Sequence, residues 1–469
     1  MTKVLFIVND FLFEPLGIMS LIAVLKKNNH EVELLKINAK YKEYGAATSE
    51  EEMFEFAERF SPDVILYSIT TGIHKHYLAI NRKLKQRFNF LSVFGGMHVS
   101  FFPDFINEDS VDVICIGEGE YALLELADNL ENGNDIKKIK NLFVKDKKGN
   151  IHKNPLRPLI QDLDSLPFPD RELVYRYKDP DKNLVLKNFI TTRGCSYKCS
   201  YCFNDGFFNL YKLNGESRVR SRSADNVIEE ILDVKKKYGL KIVYFQDDIL
   251  SLNKNFKDLM NKYPKEVGHP FHAHIRPDLV NEEIVRLLKE CGCLSVTMSL
   301  ESANDNTRKL IKRGLTKEQI YNAAKLLHKY EIKFRLENML GLPHEDLNDA
   351  FETLEMNIKC KPALGWASIF QPYPGTELFD YTKENGLFNG DVNSFDGSFF
   401  KNSILNLENK YQFENLQKLF SFTVSFPIVK PLTKQIIKFP PNKFFGLIHD
   451  KWKRHCFNKR LYKANGFKY

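Results

Sequence analysis

An α/β architecture with more than one domain is predicted, on three observations. Short Val/Ile/Leu-rich segments alternate with helical stretches over residues 1–150, the pattern of a doubly wound parallel sheet. The alternation resumes from about 185 to 390 as a second βα series, and it is absent from 391–469. A chain of 469 residues is long enough for two or three domains with ample cores. The boundaries are read as 1–150, a linker at 151–183, 184–390 and a C-terminal region at 391–469.

In the first series Lys3–Val8 reads as a strand, Ile18–Asn28 as a helix and Glu31–Ile37 as a second strand. Asp63–Ser68, Leu91–Phe94 and Val111–Ile116 read as the next three strands. Their carboxyl ends lead straight into Ser68-Ile-Thr-Thr-Gly72, Gly95-Gly-Met-His98 and Gly117-Glu-Gly-Glu120. Ligands of open α/β sheets bind at that edge, where glycines permit close backbone approach. Asn9, Ser68, Thr70, Gly95, Gly96, His98, Gly117 and Glu118 are therefore the candidate ligand-binding residues of this half.

The second series opens with Cys195, Cys199 and Cys202, in the run Thr192-Arg-Gly-Cys-Ser-Tyr-Lys-Cys-Ser-Tyr-Cys-Phe203. One tight loop with this spacing can wrap three thiolates around a single inorganic cluster. With no further cysteine or histidine in the next sixty residues, one corner of the cluster stays free for a ligand. A structural zinc site would need a fourth protein ligand and paired CxxC spacing.

This run resembles the CxxxCxxC signature of the radical S-adenosylmethionine enzymes, with Tyr201 as the aromatic residue before the third cysteine. The segments GGMHVSFFPD at 95–104, IGEGEYALLEL at 116–126 and LDSLPFPDREL at 163–173 are similar to the subgroup that carries a cobalamin-binding domain. The resemblance covers about residues 1–385. It implies a Rossmann-like cobalamin-binding domain followed by a partial (β/α)6 barrel. It also implies a 4Fe-4S cluster on Cys195, Cys199 and Cys202, with S-adenosylmethionine on the fourth iron. One departure stands out: many cobalamin domains place a DxHxxG motif after the first strand, and Asn9-Asp-Phe-Leu-Phe-Glu-Pro-Leu-Gly17 has no histidine to ligate cobalt from below.

In the barrel the strands are expected at Leu184–Thr191, Ile242–Phe245, His272–Ile275, Leu294–Leu300 and Lys333–Met339, with a sixth ending at Gln371. Ser223 is expected to cap a helix running to Tyr238. The resemblance matches Gln246-Asp-Asp248 to the segment that holds the amino group of S-adenosylmethionine, making Asp247 or Asp248 its carboxylate. Glu301 matches a position near the ribose or the methionine end, Arg276 lies at the end of the third strand, and Arg313 could grip a carboxylate through its planar guanidinium. Gly341-Leu-Pro-His-Glu345 and Gln371-Pro-Tyr-Pro-Gly-Thr-Glu377 resemble family text but need be no more than turns. Cys291, Cys293 and Cys360 read as packing residues.

The eight cysteines show no disulfide framework, and clustered thiolates need a reducing compartment, so a cytoplasmic location is expected. The N-terminal apolar stretch is too short for a signal peptide, and no apolar run approaches the ~20 residues of a membrane span. The basic excess sits in the tail: residues 401–469 hold 14 Lys+Arg against 3 Asp+Glu, leaving 54 against 57 elsewhere. That tail interleaves lysines with aromatics. A helical cap over the barrel mouth is the plain reading, contact with a membrane surface the functional one, and nucleic acid is not expected.

The resemblance implies methyl transfer to an unactivated carbon by way of a 5′-deoxyadenosyl radical and methylcobalamin. It also implies a small-molecule or lipid-like substrate and an electron donor such as flavodoxin or ferredoxin. Ring closure, ring contraction or oxidation by the same architecture stays open, as does a cobalamin-binding sensor or scaffold with a disused cluster site. A methylthiotransferase acting on RNA fits less well, because only Cys115 precedes Cys195.

Overall fold

The computed structural model describes residues 1–9, 14–37, 49–177, 186–212 and 217–462. It divides into one unit of Met1–Asn183 with Leu210–Lys212, and another of Leu184–Asn209 with Leu213–Tyr469.

The first unit is built on a seven-stranded sheet. Its strands are β1 (Lys3–Asn9), β2 (Glu31–Ile37), β3 (Val64–Ser68), β4 (Leu91–Gly95), β5 (Val113–Cys115), β6 (Leu142–Lys145) and β7 (Ile151–Lys153), in the order β2-β1-β3-β4-β5-β6-β7. The first five run parallel, with Val4 opposite Val32 on one side and Val64 on the other. Strand alternation sends Val4, Phe6 and Val8 to the helices Leu16–Lys27 and Glu120–Glu131, and Leu5 and Ile7 to Glu50–Phe60 and His74–Lys85. Both faces are covered, which is why β1 is apolar almost throughout. Each large aliphatic side chain so buried contributes about 1.5–3 kcal/mol. The antiparallel hairpin β6–β7 was not foreseen: its strands are only four and three residues long, and Lys145 and Lys153 interrupt any apolar signal.

The second unit holds six parallel strands, β8 (Leu186–Phe189), β11 (Ile242–Phe245), β12 (Phe271–His274), β13 (Cys293–Glu301), β14 (Lys333–Leu340) and β15 (Leu364–Ile369), each beside its sequence neighbour. A two-residue ribbon, β9 (Thr192–Arg193) with β10 (Arg220–Ser221), stands apart. Ser223 caps the helix Ala224–Tyr238 by accepting from the Asn226 N–H. Val243, Phe245, Phe271, Ala273, Val296, Met298, Leu300, Phe334 and Leu336 pack against the helices. The alternate positions carry Tyr244, His272, His274, Ser295, Thr297, Arg335 and Glu337. The inner side of this sheet is therefore polar, unlike both faces of the first. Cys291, Cys293 and Cys360 are buried in the apolar layer, and the thiols of Cys291 and Cys293 donate to the carbonyls of Met260 and Ser295.

The C-terminal helices belong to this second unit, and the segment before them reaches the carboxyl end of β15, where the Ile369 N–H donates to the Phe399 carbonyl at 2.9 Å. Lys410–Ser425 lies against β15, with Gln417 Nε2 donating to the Ala367 carbonyl at 2.9 Å, so it covers the edge of the sheet. Cys456, Phe457, Leu461 and Tyr462 pack on Ile242 and Leu364 at the starts of β11 and β15, the end opposite the mouth.

Candidate functional site

The cysteine loop is fixed from below and from within. Asp247 is fully buried, and its Oδ1 accepts from Thr191 N (3.0 Å), Thr191 Oγ1 (2.9 Å) and Thr192 Oγ1 (2.6 Å), which pins the chain as it leaves β8. Burial pushes this carboxyl up to about 6, against the pull of the threonine donors. Gly194 has φ +95°, and a Cβ there would stand 2.1 Å from the Arg218 carbonyl oxygen, so only glycine can precede Cys195. Ser200 is tied on both sides, its N–H to Ile311 O (3.1 Å) and its hydroxyl to Leu310 O (3.0 Å).

Above this loop lies a cavity of about 190 Å³, lined by Cys195, Cys199, Cys202, Tyr197, Tyr201, Asn204, Asp248, His274, Arg276, Thr297, Ser299, Glu301, Arg313 and Glu337. Burial raises the Cys195 thiol and pushes Cys202 up to about 12, so a thiolate here needs nearby positive charge. Two guanidinium groups converge on Cys199, with Arg276 Nη1 at 3.9 Å and Arg313 Nη1 at 3.8 Å from its sulfur. Arg276 stacks over the Tyr197 ring at 3.6 Å, pairs with Asp278 at 2.8 Å and donates to the Arg313 carbonyl. Arg313 also donates to Tyr201 Oη (3.3 Å) and Ser299 O (3.0 Å). Tyr201 in turn donates to Glu301 at 2.9 Å. Glu301 has φ +67° and sits where the β13–β14 register shifts, a strained backbone position that turns its carboxylate into the cavity.

Of the barrel residues predicted from sequence, the cavity gathers Cys195, Cys199, Cys202, Asp248, Arg276, Glu301 and Arg313. Gln246 and Asp247 lie outside its lining; Gln246 Nε2 reaches Asn188 instead, at 3.2 Å. Arg313 is anchored by Tyr201 and Ser299 and stands in the cavity lining beside Cys199. The sequence reading missed His274, whose Nε2 meets Tyr244 Oη at 2.9 Å and which burial lowers to about 4, together with Glu337, Thr297 and Ser299. The signal was present: polar residues at every second place in FHAH, SVTMSLE and KFRLE mark one polar face of strands otherwise buried.

In the first unit the strand order reverses between β1 and β3, the switch point at which such sheets bind ligands. Asn9, Ser68, Gly95, Gly96, Gly117 and Glu118 are half-buried along this edge, and Thr70 is exposed. Gly96 has φ +97°, and a Cβ would fall 2.6 Å from the Ile69 carbonyl oxygen. That glycine is thus demanded by the protein's own backbone. Glu118 is also engaged, its carboxylate accepting from Ile160 N at 2.9 Å. His98 lies under the edge: 1% exposed, stacked 4.1 Å from His74 and packed on Phe105, with Nδ1 3.0 Å from Thr71 Oγ1. Burial lowers it to about 3, so it stays neutral.

These surroundings fit the groups the architecture implies. Among the described residues no three His, Cys, Asp or Glu side chains gather as they would around a single ion, whereas three thiols spread round a cavity beside two cations suit a multi-iron cluster. The open edge of the first unit, made of backbone, hydroxyl and amide groups, suits a large ligand held by its periphery.

Residues 189–356 match the Radical SAM superfamily, and residues 2–127 match the B12 binding domain. An uncharacterized methyltransferase of Pyrococcus horikoshii is 28% identical over 80% of this chain and 79% of its own length. Among solved structures, the radical S-adenosylmethionine methyltransferase TsrM of Kitasatospora setae, with cobalamin and a [4Fe-4S] cluster bound, aligns with a TM-score of 0.66 at 18% identity, over 82% of this chain and 78% of that one. The cobalamin-dependent S-adenosylmethionine radical enzyme OxsB with aqua-cobalamin bound aligns at 0.69 and 16% identity, over 98% of this chain and 73% of that one. The fold and the two matched domains define a radical S-adenosylmethionine enzyme. With its B12-binding domain the chain belongs to the cobalamin-binding subgroup of that superfamily.

Proposed function

We propose that this protein transfers a methyl group to an unactivated carbon of a small or lipid-like molecule, using a 4Fe-4S cluster, S-adenosylmethionine and cobalamin. The observation that carries this reading is the cavity in which three cysteines, two arginines and three carboxylates meet at the carboxyl ends of parallel strands. When bound, the cluster and S-adenosylmethionine supply one-electron chemistry at carbon, and cobalamin supplies the methyl group.

The chain's own part is to hold, orient and exclude water. Cys195, Cys199 and Cys202 would hold the cluster. Asp248, kept in place by Asn204 Nδ2 at 2.9 Å, offers a carboxylate to an ammonium, as do Glu301 and Glu337 from the opposite strands. Burial raises both Asp248 and Glu301, so each gains from a cationic ligand. Arg276 and Arg313 balance the thiolates. Asn9, Ser68, Thr70 and the Gly95-Gly96 turn would meet cobalamin at the sheet edge. Low-potential electrons would come from a carrier such as flavodoxin or ferredoxin, in a reducing cytoplasm.

The test is anaerobic incubation of reconstituted protein with S-adenosylmethionine, a low-potential reductant and hydroxocobalamin, followed by mass spectrometry. 5′-Deoxyadenosine together with cobalamin-dependent S-adenosylhomocysteine, with the 5′-deoxyadenosine lost in Cys199→Ala, is the expected result. 5′-Deoxyadenosine without cobalamin-dependent S-adenosylhomocysteine would overturn methyl transfer.

A further inference from the structure

The C-terminal helices carry a surface that the chemistry above does not use. Twelve large hydrophobic side chains are exposed among the described residues, and six of them fall between 426 and 447: Phe426 at 41%, Ile428 at 88%, Leu432 at 58%, Phe439 at 60%, Phe444 at 65% and Leu447 at 56%. Isolated exposed apolar residues are ordinary, but six within twenty-two positions are a patch.

Helical spacing explains how the patch stays outside. In the helix Lys443–His455 the inward positions are Phe445, Ile448 and Trp452, which leaves Phe444, Leu447 and Lys451 on the outer side. In Lys430–Ile436 the buried Thr433 hydroxyl meets Thr423 at 2.9 Å, while Leu432, Lys434 and Gln435 face solvent. The exposed turn Phe439-Pro-Pro-Asn-Lys-Phe444 joins the two helices. Lys434, Lys438, Lys443, Lys451 and Arg454 are exposed in the same stretch, and Asp450 is the one acidic residue between 426 and 455.

Exposed aromatic and aliphatic side chains set among lysines, with almost no counter-charge, match the boundary of an anionic bilayer. The apolar groups enter the acyl region and the ammonium groups stay with the lipid headgroups. No helix among the described residues is long and apolar enough to cross a membrane, so the contact is interfacial.

We propose that residues 426–454 dock this protein on an anionic membrane surface, with Leu432, Phe439, Phe444 and Leu447 inserted and the flanking lysines on the headgroups.

The experiment is flotation of the full-length chain with phosphatidylcholine vesicles and with vesicles containing about one-third phosphatidylglycerol, at low and high salt. Recovery with the anionic vesicles alone, falling with salt, is expected. Two variants sharpen it: Leu432→Ser/Phe439→Ser/Phe444→Ser/Leu447→Ser, and Lys434→Glu/Lys438→Glu/Lys443→Glu. Each should lower recovery at least about tenfold at an unchanged unfolding temperature, since the residues altered are exposed. No recovery with either vesicle, or recovery indifferent to lipid charge, overturns the proposal, and these readings need only the native chain. Equal flotation by folded variants overturns it too. So does a sedimentation shift from dimer to monomer in the apolar variant, or displacement from vesicles by duplex DNA, which would assign the patch to a second copy or to nucleic acid.

Discussion

Two parallel-strand edges in this chain obey one topological rule and are furnished in opposite ways. At the edge of the first unit the groups on offer among the described residues are backbone, hydroxyls and amides, and the carboxylate of Glu118 is already held by Ile160 N–H. At the barrel mouth they are thiols, guanidinium groups and carboxylates, braced by strained or fully buried positions such as Glu301 and Asp247. The difference follows the ligands each end suits. A large ligand with a broad periphery is met by shape and close backbone approach, whereas a compact cluster and a zwitterion require buried charge, which is costly unless paired.

If the two ends are separately furnished, breaking one should spare the other. The largest effect is expected from Cys199→Ala, which removes a thiol and strands both arginines: iron after anaerobic reconstitution should fall from about four per chain to near none. Cobalamin binding by the same protein, followed by its absorbance, should be unchanged; joint loss would break the comparison. Gly96→Ala is the converse. Its new Cβ meets the Ile69 backbone at 2.6 and 2.9 Å from a left-handed conformation, so a destabilisation of about 2–4 kcal/mol is expected in the first unit. Cobalamin binding should fail while iron loading persists.

Arg313→Met tests the braces on the cluster. Removing one of two cations beside Cys199 should leave the cluster assembled but harder to reduce, by tens of millivolts, in a redox titration followed by electron paramagnetic resonance. An unchanged midpoint would reduce Arg313 to a packing role. The smallest effect concerns Glu345, at the end of β14, which accepts from the N–H groups of Gly341 (2.6 Å) and Leu342 (3.1 Å) and is pushed by burial from 4.5 up to about 8. Its folded-state value lies above the unfolded one, so the native state keeps a proton that the unfolded chain releases. Stability from this group is therefore greatest at low pH and declines as pH climbs towards 8. Glu345→Gln should flatten that decline and raise the free energy of unfolding at pH 9, with little change at pH 5.

Much of the scaffold was legible because periodicity reports burial. Glu31–Ile37 and Ile242–Phe245 have the predicted bounds, the first because charged residues interrupt its apolar ones at strand spacing, the second because it is a short apolar run. The hairpin β6–β7 escaped because its strands are short and lysine-bearing. The site divided the same way. Three cysteines in eight residues announce a loop around one centre, but Asp247 and Asp248 are adjacent letters. Only the fold turns one down onto Thr191 and Thr192 and the other into the cavity. His98 looked like an edge residue, yet the short helix Met97–Phe101 rotates it beneath the edge against His74.

The sequence by itself determined the two βα series, the cysteine loop, the glycine-bearing strand ends and the basic tail, because local spacing and strand period are properties of the chain. Only the tertiary structure decided that Arg276 and Arg313, thirty-seven residues apart, share one sulfur. It also decided that His274, Thr297 and Glu337 line the same cavity, and that the tail covers β15 while showing its apolar side outward. The reason is geometric: parallel strands bring residues from distant turns to one end of a sheet, and which alternate face points inward is settled only when the sheet curves and the helices cover its other side.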